Sequence, residues 1–334
     1  MPTGGAKRSG RAAQTDSDVE GYGLRREHVS EIQRARILAA IVELAAERGA
    51  ANVTVARVVA RAGVSRRTFY ELFSDREDCF LAAFDDAIAR IAAVVVPAYE
   101  QPSKWRERIR ASLTALLQFL DDEPGTGRLV VVETLGAGAN ALERRSRVLA
   151  QVITAVDRGR SEAKKGDGPP PLTAEGLAGA VLSVIHARML AGDRRPLVEL
   201  VNPLMFTIVL PYLGAAAARR ELTRPVPKAP ARPRPVNGDP LRELQMRLTY
   251  RTVRVLMAVA ANPGSSNRMV ADGAGITDQG QISKLLHRLE RLGLIGNDGA
   301  GRPPGGPNAW THTERGAQIE HAIRESSRAA SQRG

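Results

Sequence analysis

Arginine and hydroxyl-bearing side chains are concentrated in one short stretch of the sequence. Ser65, Arg66, Arg67, Thr68 and Tyr70 lie within six consecutive positions. Guanidinium groups pair with phosphates and with guanine edges, and serine, threonine and tyrosine hydroxyls bind phosphate. These residue types therefore suit a polyanionic partner. Their spacing alone leaves another interpretation open, in which the two arginines form a solvated helix face and Tyr70 lies at the edge of the core.

A second polar set accompanies a stripe of apolar residues near the C-terminus. Leucine and isoleucine recur at helical spacing from 282 to 292, which predicts a helix with one buried face. The polar residues outside this stripe are Gln279, Gln281, Ser283, Lys284 and Arg288. Such amide and cationic side chains can bind base edges or phosphates. A module that only docks to another protein is the alternative.

Short predicted helices must position the first polar set. Thr54 is expected to cap one short helix and Ser65 the next, because their oxygens can accept from backbone amides at a helix start. Gly63 lies at the turn between these helices. Ser30 and Ser74 are expected to begin the flanking helices, each with Gln or Glu three residues later. Two short helices joined at a glycine form the geometry that lets one helix enter a major groove.

The stretch at 54–78, TVARVVARAGVSRRTFYELFSDRED, resembles the DNA-binding domain of the TetR family of transcriptional regulators. The likeness rests on Thr54, the turn at 59–65, the segment at 68–73 and Arg76 with Glu77, and it covers about residues 31–90. It implies that Arg76 replaces the usual lysine and contacts phosphate at the start of the fourth helix, where the helix dipole favours anions. It also implies double-stranded DNA as a partner and an unknown small-molecule effector. The single cysteine and an N-terminal stretch without a signal-peptide pattern indicate a cytoplasmic location, and DNA binding a nucleoid-associated one. Members of this family usually repress transcription, and the sequence does not distinguish repression from activation.

The middle of the chain resembles the effector domains of the same family, with less specific patterns. Helical patterns near 173–191 and 196–212 correspond to the pair that packs against its copy in a second subunit, which implies a homodimer that binds a roughly palindromic operator. His186, Arg188 and Asn202 are weak candidates for polar groups of an effector pocket. A histidine on an apolar helix is more often a structural residue.

The C-terminal pattern of helix, helix-turn-helix and hairpin predicts a winged helix similar to that of MarR-type regulators. One helix is expected to stop before Pro263, Ser265 to start a short helix, and Asp278 to cap the helix that carries the second polar set. Strands are expected near 294–295 and 309–313, with Arg302 near the tip of the loop between them. We expect this module to contribute DNA contacts through the second polar set and Arg302.

The chain is therefore predicted to be mainly α-helical with several parts. A disordered tail at 1–28 precedes a TetR-like helix-turn-helix domain at 29–95 and a helical effector and dimerisation domain at 96–215. A basic, proline-rich linker at 216–240 leads to the winged helix at 241–325.

Several classes of protein are disfavoured. The formal net charge is +12, which favours a polyanionic partner over an acidic substrate, although a genome rich in G and C also encodes arginine freely. Catalytic, nucleotide-binding and metalloprotease motifs are missing from the sequence, so neither an enzyme nor a cofactor or metal site is expected.

Cys79 is the single cysteine and is expected to be buried. The longest apolar run, 203–218, is too short for a membrane span. An interaction adaptor without DNA binding stays open.

Overall fold

The computed structural model describes residues 26–163, 168–192, 195–225, 249–298 and 308–331. The expected tail up to residue 25, the linker from residue 226 and Arg302 lie outside the described residues. The described chain is mainly helical, as predicted, and its helices are α1 (Arg26–Arg48), α2 (Val55–Ala62), α3 (Arg66–Leu72), α4 (Arg76–Glu100), α5 (Trp105–Asp122), α6 (Pro124–Val131), α7 (Ala139–Asp157), α8 (Thr173–Ala191), α9 (Val201–Leu222), α10 (Tyr250–Ala261), α11 (Asn267–Ala274), α12 (Gln279–Arg291) and α13 (Glu314–Ser331).

The chain groups into two compact units by its internal contacts. The first unit takes its described residues from Met1–Arg36, Ala62–Thr68 and Val236–Gly334, and the second unit takes them from Ile37–Arg61 and Phe69–Pro235. Each unit therefore combines segments that are distant in sequence.

The second unit is built around α5. Leu113, Leu117 and Leu120 of this helix are buried, and they join a cluster with apolar residues of α9 and of the short turn Leu197–Leu200. Trp105 at the start of α5 packs on Tyr212 of α9, with ring centroids 4.9 Å apart. Gly159 lies under the Trp105 ring, where a Cβ would come within 2.6 Å of it, so that position requires glycine. Cys79 of α4 is buried, as predicted.

The first unit has its core among α10, α11, α12, α13 and two short strands. The strands β1 (Ile295–Asn297) and β2 (Trp310–His312) pair antiparallel, with Ile295 opposite His312. Val29 and Ile32 of α1 are buried in the same core, at 2% and 5% exposure. The opening turns of α1 thus contribute apolar surface to a core made mostly of C-terminal residues.

The predicted helix starts were correct at some positions and wrong at others. Helix α1 begins at Arg26, so Ser30 lies inside it and does not begin it. Asp75, not Ser74, caps α4 and accepts a hydrogen bond from the Asp78 amide. Ser266, one residue after the predicted Ser265, caps α11. Helix α10 ends at Ala261, before Pro263, as predicted.

The expectation that no apolar run is long enough for a membrane span was wrong, because two segments are long enough by length and composition alone. They are Thr173–Ala191 and Leu197–Leu222. Core helices of globular proteins have the same composition, and Leu197–Leu222 is 44% buried in its most apolar window.

Candidate nucleic-acid interface

Helix α3 presents polar side chains to solvent and apolar ones to the core. Arg66, Arg67 and Tyr70 are exposed, Tyr70 at 58%. Phe69 and Phe73 are buried at 0% and 4% and anchor the opposite side of the segment. The Phe69 and Tyr70 rings meet edge to face, with centroids 5.4 Å apart. The aromatic contact holds the Tyr70 ring, while more than half of the side chain stays exposed.

Hydroxyl side chains fix the beginnings of α2 and α3. The Thr68 amide donates to Ser65 Oγ at 2.9 Å, and the two hydroxyls of this pair lie 2.8 Å apart. The Arg57 amide donates to Thr54 Oγ1 at 3.4 Å. Gly63, between the helices, has φ of 64°, a left-handed conformation that favours glycine. Thr54 and Ser65 are therefore helix caps, as predicted, and their oxygens are used within the protein.

Two arginines of α2 are occupied by local partners. Arg57 Nη1 donates to the Asn52 carbonyl at 2.6 Å. Both Nη atoms of Arg61 donate to Glu47 at 2.8 Å, and Nη1 also lies 3.1 Å from Glu43. The hydrogen bonds with Glu47 raise the pKa of Arg61 and lower that of the Glu47 carboxyl. Arg61 therefore fastens α2 to α1.

Arg76 is the first residue of α4 and is half-buried. Its Nη1 donates to the Ala50 carbonyl at 2.8 Å. A guanidinium carries five N–H donors, so this bond orients the side chain without exhausting it. Arg76 thus lies at a helix N-terminus, where a phosphate oxygen is favoured.

Helix α12 separates its apolar and polar residues in the manner that the sequence predicted. Ile282, Leu286 and Leu289 are fully buried. The five polar residues proposed from the sequence are all exposed on this helix: Gln279, Gln281, Ser283, Lys284 and Arg288. Asp278 caps the helix, as predicted, and hydrogen bonds from the Gln281 and Gly280 amides lower the pKa of its carboxyl.

Side chains from neighbouring helices support the polar face of α12. Arg251 of α10 donates to Gln281 Oε1 at 3.1 Å, and Asn267 Nδ2 of α11 donates to Ser283 Oγ at 3.2 Å. Asn267 Oδ1 in turn accepts from Trp310 Nε1 at 2.6 Å and from Asn308 Nδ2 at 2.9 Å. Asn267 therefore links α11, α12 and the strand β2 through one amide group.

Sequence reasoning missed Arg251 and Asn267 at this surface. Arg251 lies on α10 and Asn267 on α11, and they are 30 and 16 residues away in sequence from their partners on α12. A polar residue at the start of a neighbouring helix is too common a signal to single out either side chain.

The three weak effector candidates do not form one site. His186 and Arg188 are half-buried on α8. Asn202 is buried on α9, where it accepts from Arg110 at 2.6 Å and donates to the Arg224 carbonyl at 2.7 Å. Asn202 is therefore a structural residue of a buried polar cluster.

A cleft of about 370 Å³ lies elsewhere in the second unit. Its lining residues are Tyr99, Ser103, Trp105, Arg108, Asp157, Arg158, Arg160, Ser161 and Glu162. The Tyr99 hydroxyl is buried and lacks a hydrogen-bond partner among the described residues. Within the same described ranges, histidine, cysteine and carboxylate side chains form no group of three able to hold a metal ion.

A comparison with protein families matches residues 37–83 to the family described as "Bacterial regulatory proteins, tetR family". The matched segment contains α2, α3 and the start of α4. This match supports a DNA-binding regulator of transcription, a non-enzymatic class of protein.

Solved structures with likeness to this chain are regulators of distant sequence. The fatty acid degradation regulator FadR from Bacillus halodurans is 17% identical, with a TM-score of 0.48 over 53% of this chain and 94% of that one. The transcriptional regulator FadR from Bacillus subtilis, solved with stearoyl-CoA, is 17% identical, with a TM-score of 0.46 over 54% and 98%. A TetR family transcription regulator from Marinobacter aquaeolei VT8 is 21% identical, with a TM-score of 0.45 over 55% and 96%.

Proposed function

We propose that the chain is a transcriptional regulator that binds duplex DNA with α3 in the major groove. The observation that carries this proposal is the division of α3 into a buried apolar side and an exposed polar side. This helix lies inside the segment that matches the family. Its start is capped by Ser65, its apolar side is anchored by Phe69, and its exposed side carries Arg66, Arg67 and Tyr70. Arginine can bind guanine edges or phosphate, and the tyrosine hydroxyl can bind phosphate.

Arg76 is proposed as a phosphate contact beside this helix. Its position at the first residue of α4 places its charge where the helix dipole already favours an anion. The bond to the Ala50 carbonyl holds the guanidinium in one orientation. Thr54, Ser65 and Thr68 are proposed to assist by positioning the backbone, since their hydroxyls are engaged at helix starts.

The C-terminal module is proposed as a winged helix that adds DNA contacts through α12. Its helices, strand pair and capped α12 support this assignment. Lys284 and Arg288 are exposed and cationic, and Gln279, Gln281 and Ser283 are exposed beside them. Arg302 is proposed as a phosphate contact of the loop between the strands. Docking of the module to another protein is the competing proposal, and retention of DNA affinity without the α12 cations would favour it.

We also propose a ligand-responsive homodimer. Helix α8 is apolar in composition, yet only 17% of its most apolar window is buried, and Val184 and Leu190 are exposed at 39% and 52%. Such a surface is typical of a subunit interface. The cleft that contains Arg108 and Arg158 is proposed as the effector site; its lining also carries Glu162 and an Arg160–Asp157 ion pair, so it suits a polar effector. Domain limits are proposed as in the sequence interpretation with two corrections: α1 begins at Arg26, inside the predicted tail, and α9 continues to Leu222, inside the predicted linker. Repression of the bound promoter is the proposed outcome.

Selection of DNA by the full chain tests the proposal. Genomic fragments are captured with the full chain, sequenced, and searched for a shared element. We expect an inverted repeat, because a dimer with two-fold symmetry places two copies of α3 on related half-sites. Capture that is no better than by a variant carrying Arg66→Ala and Tyr70→Ala, in folded protein, would favour the adaptor without DNA binding.

A further inference from the structure

Ala50 is bound from two directions by charged side chains. It is the first residue of the short turn Ala50–Asn52 between α1 and α2, and it is 2% exposed. Its amide donates to Glu133 Oε2 at 2.8 Å, in a buried bond across 83 residues of sequence. Its carbonyl accepts from Arg76 Nη1 at 2.8 Å. One small residue thus connects two distant ionic side chains.

Glu133 is fully engaged where it lies. It is 8% exposed and belongs to the turn Glu133–Gly136 that follows α6. Its Oε1 accepts from Arg128 Nε at 3.1 Å, so both carboxylate oxygens have partners. A carboxylate bound to a backbone amide forms a stronger hydrogen bond than a neutral acceptor does. The contact therefore fixes Ala50 more firmly than an ordinary loop contact would.

The same turn also holds the beginning of α2. Arg57 Nη1 donates to the Asn52 carbonyl at 2.6 Å, and Asn52 Nδ2 donates to the Arg48 carbonyl at 2.8 Å. A displacement of Ala50 therefore reaches Asn52 and α2 through the backbone, and reaches Arg76 directly.

We propose that Glu133 is a positioning residue for DNA binding, which acts through Ala50 on Arg76 and on the start of α2. The inference rests on the proposed function, since Arg76 is there assigned to phosphate. It follows that a ligand or mutation that moves the segment at 124–136 away from Ala50 weakens DNA binding without touching the DNA-facing side chains.

The test uses the full chain and three variants, Glu133→Ala, Glu133→Gln and Asp121→Ala. Asp121 is the matched control, because its carboxylate also accepts from backbone amides, those of Leu197 and Val198 at 2.7 and 3.0 Å. Glutamine retains one acceptor oxygen for Ala50 but meets Arg128 with an amide donor, so its effect should lie between wild type and Glu133→Ala. Hydrogen exchange of the peptide at 49–54 and affinity for the captured DNA are measured on each.

We expect Glu133→Ala to speed exchange at 49–54 and to lower DNA affinity by about tenfold, because a buried amide without its acceptor is unfavourable. Asp121→Ala should leave both unchanged in the folded protein. In an Arg76→Ala background, Glu133→Ala should cost less affinity than it does alone, because part of its effect passes through Arg76.

Unchanged exchange at 49–54 in Glu133→Ala would overturn the inference, whatever happens to DNA binding. Faster exchange with unchanged affinity in a protein whose wild type binds DNA would overturn it as well. A wild-type chain that captures no DNA contradicts the proposed function instead, and the exchange measurement then still shows whether Glu133 holds Ala50.

Discussion

Helices α3 and α12 expose similar side chains but are held in place by different means. The support of α3 comes from its own neighbourhood in sequence: the Ser65 cap, Phe69 within the helix and Phe73 just after it. The polar face of α12 is tied to Arg251 of α10 and Asn267 of α11. The family match covers the first of these helices and ends at residue 83. Both helices left local signals in the sequence, namely the caps Ser65 and Asp278 and their buried apolar residues, whereas the distant side chains that hold the polar face of α12 left none.

The largest expected effect is the loss of DNA affinity when exposed residues of α3 are replaced, which should exceed the loss caused by changes in α12. Replacement of Arg66 and Tyr70 with Ala should lower affinity for the captured DNA by about a hundredfold, because it removes two contacts worth about 1.4 kcal/mol each. Both side chains are exposed, so the melting temperature should stay near that of wild type. Binding is measured by fluorescence anisotropy at fixed salt, with Glu71→Ala on the same helix as the matched exposed control. Affinity within a factor of two of wild type would contradict the assignment of α3.

A smaller loss is expected from α12. Lys284→Ala with Arg288→Ala should lower affinity by about tenfold and reduce the slope of log affinity against log salt by about 1.8, as expected for two phosphate contacts. Arg147→Ala offers a charge control on exposed α7, where the arginine pairs with Glu143 at 3.3 Å. If the slope of log affinity against log salt is unchanged, α12 does not contact phosphate, and docking of α12 to a protein would be favoured.

The long-range support of α12 can be broken without removing any of its proposed contacts. Asn267→Ala leaves the Trp310 indole and the Asn308 amide without their acceptor and removes the donor to Ser283. The free energy of unfolding should fall by about 1 kcal/mol, the usual order for one intramolecular hydrogen bond, because the bonds of Asn267 are exposed or only partly buried. Met269→Ala, on the same helix and 58% exposed, is the control in denaturant titrations of the full chain. Equal midpoints for the two variants would show that Asn267 does not carry the support of α12.

The smallest effect concerns pH and should be confined to the C-terminal module. Burial lowers the pKa of His312, whose Nε2 lies 2.9 Å from the Leu256 carbonyl. The folded state therefore disfavours the protonated ring. As pH falls below about 6.5, the unfolded state gains its proton first, so stability declines down to the folded pKa.

His312→Asn should flatten this decline between about pH 7.5 and 5.5 in thermal melts, relative to wild type. His287→Asn is the control substitution, because the His287 side chain is 77% exposed on α12. A decline of equal size in wild type and His312→Asn would exclude His312 as its source.

The features that sequence predicted correctly are those decided by neighbouring residues. Thr54, Ser65 and Asp278 cap their helices because the oxygen and the amide that it accepts from lie within three positions. The apolar stripe of α12 was correct for the same reason, since burial repeats with the helical period. Where two adjacent residues could both cap, as Ser74 and Asp75 can, the sequence did not decide between them.

Contacts across long sequence separations could not be predicted. The bond from Ala50 to Glu133 depends on how α6 packs, and no local pattern encodes that packing. Val29 and Ile32 have ordinary helical spacing, and their burial among C-terminal residues follows only from the tertiary structure. The buried hydrogen bond of the effector candidate Asn202 could not be predicted either, because its partner Arg110 lies 92 residues away.

A nuclease footprint of the full chain on its captured DNA tests the central claim most directly. At a protein concentration that just saturates the wild-type site, we predict a protected region that Arg66→Ala with Tyr70→Ala abolishes, and that Lys284→Ala with Arg288→Ala shortens while leaving its centre intact. A footprint that survives the α3 variant and disappears with the α12 variant would contradict the assignment of α3 as the principal DNA-binding helix.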